Sequence, residues 1–160
     1  QFEISAKMAK SESYVIPMET SDGSVTGINL KIVRGKEEKG FVDIFFNDKM
    51  SGKVAASFEV RDDGVSGVIA VSDAQTQKAV SGNISLFTDS LSETESSIDI
   101  KVVHVVDISA EKYLKTSFQK EDKVSSENTK DRSTVQTKRL YQVAEGFIDN
   151  IRKIFGPDNL

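Results

Sequence analysis

One histidine, His104, and no cysteine limit the chemistry open to this chain of 160 residues. A histidine works as a general base only beside a nucleophile or an orienting carboxylate. The run Val102-Val103-His104-Val105-Val106 offers neither, so His104 reads as a strand histidine with a hydrogen-bond partner. A structural zinc site is excluded, because zinc takes several nitrogen or sulfur ligands. An enzyme built on this chain would have to gather acids such as Asp43 or Asp99 around His104 in a deep pocket. Asp89, Glu93 and Glu95 form an acidic cluster, but Ser and Thr surround them in an expected loop, which reads as a solvated group.

The remaining motif fragments fail on spacing. Asp62-Asp63-Gly64 is too short for the spaced oxygen ligands of a calcium loop and reads as a hairpin turn. Gly35 to Gly40 has the glycine spacing of a phosphate loop, yet Phe41 stands where the lysine must be. Gly64-Val65-Ser66-Gly67 breaks the frame of a nucleophile elbow. Asn83-Ile84-Ser85 fits a glycosylation acceptor, but inside an expected helix. These residues point to a protein without catalytic, metal or cofactor chemistry.

The elements that would position any site are mostly hairpins. Residues 1–13 are polar and read as a flexible lead-in, followed by a short strand at Tyr14-Val15-Ile16, with Pro17 suited to an edge. Ser21-Asp22-Gly23 is a turn. Residues 25–33 place Ile28, Leu30 and Ile32 on one face at period two. Residues 41–46 complete a second hairpin, and 47–53 form a connecting loop in which Gly52 is the special backbone position. A third hairpin joins 54–60 to 65–71. Ser72-Asp73-Ala74-Gln75 has the form of a capping box and opens a helix expected over 72–91, with Val80, Ile84, Phe87 and Leu91 as its apolar stripe. Gly82 weakens that helix. A strand follows over 98–106.

Residues 115–133 are rich in Ser, Lys, Glu, Asp and Asn and read as a mobile linker. A second capping box, Ser133-Thr134-Val135-Gln136, begins a helix over 134–155 with Leu140, Val143, Phe147, Ile151 and Ile154 on one stripe, ended by Gly156-Pro157. The expected organisation is a lead-in at 1–13, an α+β domain at 14–114, the linker, and a C-terminal helix at 134–157. That helix and the central one should pack on an antiparallel sheet.

Composition agrees with a small, partly solvated domain: 38% of residues are hydrophobic and 29% charged, with a net charge of −4. An acidic chain with scattered basic residues lacks the field that nonspecific nucleic-acid binding requires. No run approaches the roughly 18 apolar residues that span a bilayer. No membrane insertion is expected, and the chain reads as a monomer.

Residues 52–106 resemble the C-terminal domain of flagellar hook-length control proteins of the FliK type. Gly52-Lys53-Val54 matches the family's Leu-Gly-x-Val entry into a strand. The hairpin through Asp62-Asp63-Gly64 follows, then the helix from Ser72 to Val80, the Leu-rich stretch Leu86 to Leu91, and the return strand Ile98-Asp99-Ile100. Asp48 and Ser51 stand where the family's Pro-x-x-Leu-Gly has Pro and Leu. The earlier hairpins and the terminal helix are similar to hook-length-control-like proteins of Gram-positive gut bacteria. The resemblance implies a cytoplasmic protein exported through the flagellar apparatus, not an enzyme. Its partner would be the cytoplasmic domain of the export-gate switch protein. The implied contact lies on Asp48, Met50, Ser51, Gly52, Lys53 and Val54. The alternative is a secreted or surface-associated adaptor, unrelated to flagella, whose sheet binds protein or glycan.

Overall fold

The structure is a computed structural model that describes residues 11–35, 39–108 and 130–157. Six strands form one sheet in chain order: β1 (Ser11–Glu19), β2 (Val25–Arg34), β3 (Gly40–Asp48), β4 (Gly52–Arg61), β5 (Gly64–Val71) and β6 (Ile98–His104). The first five are antiparallel neighbours joined by short connections. β6 lies parallel to β5, because the helical crossover between them returns the chain to the end where β5 began.

Period-two alternation builds this sheet. Ile28, Leu30 and Ile32 of β2 share a buried face with Val42, Ile44 and Phe46 of β3 and with Val54, Ala56, Phe58 and Val60 of β4. The expected α+β class holds, with the three helices of the described residues over that face. The expected helix over 72–91 is divided into α1 (Ala74–Asn83) and α2 (Ser85–Leu91). Ser81, Gly82 and Asn83 are poor helix formers in succession. The Phe87 amide bonds to the Ile84 carbonyl, and the Asn83 carbonyl accepts instead from Asn150 Nδ2 of the C-terminal helix at 3.0 Å. The apolar stripe survives the break: Val80, Phe87 and Leu91 are buried.

The C-terminal helix, α3 (Lys130–Phe155), begins four residues before the expected 134. Residues 130–133, read as the end of a linker, are therefore helical; 115–129 lie outside the described residues. At the other terminus, Ser11, Glu12 and Ser13 belong to β1, paired with Val33, Ile32 and Lys31, so the flexible lead-in does not extend to 13. Residues 1–10 are outside the described set. Pro17 sits within β1 opposite Gly27, and the order of the sheet makes β1 an edge strand, where a missing N–H is tolerated.

Leu140, Val143, Phe147 and Ile151 of α3 are buried as expected, joined by Ala144, Ile148 and Phe155, whereas Ile154 of the expected stripe is only partly buried. Phe147 meets Phe58 and Phe87 at ring-centroid distances of 5.1 and 5.5 Å, so strand, crossover helix and terminal helix share one aromatic centre. The second face of the sheet carries a smaller cluster in which Ile108, just past β6, packs with Phe45, Ala55 and Ala70. Among the described residues, no helix is long and apolar enough to cross a membrane.

Candidate partner-binding turn

The loop expected over 47–53 is shorter and more ordered than its composition implies. β3 runs to Asp48 and β4 starts at Gly52, with Asp48 and Gly52 paired, so only Lys49, Met50 and Ser51 form the turn. Asp48 is buried, and its Oδ2 accepts from the amides of Met50 at 3.1 Å and Ser51 at 2.9 Å. A carboxylate two and three residues ahead of unpaired amides satisfies both of them. Asp48 therefore closes the turn from within.

The remaining polar groups are used by the start of the crossover. Ser51 carbonyl accepts from Thr76 Oγ1 at 2.9 Å. Lys53 exchanges two bonds with Ser72: its amide donates to Ser72 Oγ at 2.9 Å, and its carbonyl accepts from the Ser72 amide at 3.0 Å. Lys53 Nζ donates to the Ile108 carbonyl at 3.0 Å. Val54 points into the core at 1% exposure. Gly52 has φ +82°, and a Cβ placed there would lie 2.6 Å from Ser72 Oγ. The close approach that only glycine permits is thus made by Ser72 of the same chain.

Of the six expected contact residues, Met50 alone presents a large exposed side chain, at 70% exposure. Two exposed residues that sequence reasoning did not include, Val105 and Val106, follow β6 at the same end of the sheet, as the pairing of Val54 with Val71 and of Val71 with His104 fixes. Their place could not be read from the chain, because it depends on β6 running parallel to β5.

Ser72 is the other residue whose role was missed. It was expected to cap the helix with Gln75, but the cap is Asp73, whose side chain accepts from the Thr76 amide at 3.0 Å. Ser72 instead joins three elements, since its carbonyl also lies 3.2 Å from His104 Nε2. Asp73 and Thr76 are the Ser72 and Gln75 pattern shifted by one residue, and that overlap was the available signal.

His104, Asp43 and Asp99, the residues considered for an enzyme pocket, do not come together. His104 pairs with Val71 and shares its helix-covered face, whereas Asp43 and Asp99 belong to the opposite face, on β3 and β6. Asp43 is buried and accepts from Ser57 Oγ at 2.7 Å. The acidic cluster is divided as well. Asp89 and Glu93 are exposed, but Glu95 is buried, against the expectation of a solvated group. Arg139 of α3 holds it, with contacts of 2.6 and 3.1 Å, and also donates to the Arg61 carbonyl. No protein-family model, curated protein or solved structure matches the chain.

Proposed function

We propose that this chain is a non-enzymatic interaction domain of the hook-length control kind, acting in the switch of substrate specificity in flagellar type III export. The observation that carries the reading is the unit from Gly52 to His104. Its hairpin, crossover helices and return strand stand in the order of the resembled domain, and Met50 projects from its entry turn. The partner is the cytoplasmic domain of the export-gate switch protein, and the chain meets it in the cytoplasm before or during its own export. Met50 supplies the apolar contact, with its flexible thioether able to fit an irregular surface. The turn behind it is held by Asp48 and Ser72, so little ordering cost attends binding.

Titration calorimetry of the full chain with the purified cytoplasmic domain of that switch protein, taken from the same organism, tests the reading. The wild type should bind, and Met50→Asp should weaken binding about 10-fold or more, the range of a contact residue at an interface centre. Its melting temperature should stay where it was, because an exposed turn side chain contributes little to stability. Absence of binding by the wild type would sink the proposal.

A further inference from the structure

Besides its ladder with β2 and the packing of Ile16 on the core, edge strand β1 is fastened near both of its ends by described residues. Near its end Met18 is buried, and the turn that follows donates from the Ser21 amide to the Phe155 carbonyl of α3 at 3.1 Å. Near its start the fastening is polar. Glu12 pairs with Ile32 on the helix-covered face. Its Oε1 accepts from the hydroxyls of both Tyr14 and Tyr141, and its Oε2 accepts from Arg34 at 2.5 Å. The tyrosine oxygens lie 3.0 Å apart, and Arg34 Nε donates to Thr137 Oγ1 at 2.6 Å. One carboxylate thus gathers donors from β1, β2 and α3.

We propose that Glu12 is the latch by which α3 holds β1 on the sheet, and that removing its charge lets β1 open as a local unit while β2 to β6 stay paired. An ionised carboxylate is acceptor-only and can take three donors at once, which a neutral side chain cannot do without losing one. Hydrogen bonds to a charge are about twice as strong as neutral ones. Among the described residues, the groups facing Glu12 are Tyr14 from β1, Arg34 from β2 and Tyr141 from α3. Burial works to raise the Glu12 carboxyl, but bonds from Tyr14, Tyr141 and Arg34 together hold it below the usual carboxylate range. Burial, with the bonds to Glu12 and Tyr14, holds the Tyr141 hydroxyl far above the usual tyrosine range. A lowered carboxyl stabilises the fold above its unfolded value, and that contribution is lost as pH falls through the folded one. The latch is therefore closed through neutral pH and opens in acid.

Hydrogen exchange of the full chain, followed by NMR as protection factors, tests this. At neutral pH, Glu12→Gln should lower protection in β1 and along its pairing with β2 by about 10-fold or more, the scale of one lost charge-assisted bond. Protection in β4 and β5 should not change. Tyr141→Phe should act on the same amides, and the double variant should do no more than the stronger single one. In the wild type, β1 protection should fall first as the solution is acidified, and in Glu12→Gln the response should shrink to the part carried by Asp22, which holds Thr20 and Ser24 in the β1–β2 turn. Unchanged β1 protection in both variants overturns the proposal. So does an equal loss in β4 and β5, which would mean general destabilisation.

Discussion

Ser72 uses its amide and its hydroxyl on Lys53 and lies with its carbonyl against His104, and the glycine opposite it makes room for this. Gly52→Val should therefore unfold the turn and not merely blunt a contact. A β-branched residue at φ +82° is strained, and its Cβ would displace the Ser72 hydroxyl. The expected loss is about 1–3 kcal/mol for the strained backbone alone, read by urea denaturation. A variant as stable as the wild type would show that the glycine serves something other than the backbone. That Gly52 needs a special conformation was legible in the sequence, because glycine between two strands marks such a position. That Ser72 occupies the space was not. Its helix-capping pattern satisfied the local chemistry, and only the pairing of β4 with β5 brings residue 72 beside residue 53. Asp48 was equally opaque: in sequence it is one acidic residue in an expected loop, and in space it is the group that closes the turn.

At the scale of elements, α3 is the piece on which the others converge. Phe147 touches Phe58 of β4 and Phe87 of α2, Arg139 holds Glu95 ahead of β6, and Asn150 takes the carbonyl left open between α1 and α2. Phe147→Ala should cost about 3–5 kcal/mol, since the ring is 1% exposed and its neighbours come from rigid elements that cannot collapse inward. A thermal melt that does not move would mean that α3 stands off the sheet in solution. The stripe from Leu140 to Ile151 announced this docking, because periodic apolar residues report which face is buried. They do not report the neighbour, so neither Arg139 with Glu95 nor Tyr141 with Glu12 could be foreseen. Each is a polar side chain on an otherwise solvated flank, and its partner lies far away in sequence. The division of α1 from α2 was half legible. Gly82 marked the weak point, but the side chain that accepts the consequence, Asn150, lies 67 residues further on.

At the scale of the molecule, strand order and chain order are the same, and the register puts specific points at one end of the sheet. Ser11 faces Val33, Gly40 faces Val60, and Arg61 faces Gly64, so the start of β1 and the β4–β5 turn at Asp63 lie at the same end. This gives the domain a direction in which it is mechanically weak. Traction applied between the start of β1 and Asp63 pulls across the strands and opens the ladder one bond at a time, like a zip. Traction between β1 and Met50, at the opposite end, runs along the strands and loads many bonds together. The chain has no cysteine, so one introduced at Ser11 and a second at Asp63 or Met50 give a unique pair of handles for an optical trap. Pulling from Asp63 should extend the chain at low force with β1 leaving first, and pulling from Met50 should demand a distinctly higher force, with equal forces for both handles counting against this geometry. A force that enters at the start of β1 and is opposed at the Asp63 turn meets the sheet along its compliant axis, and β1 is the first strand to resist.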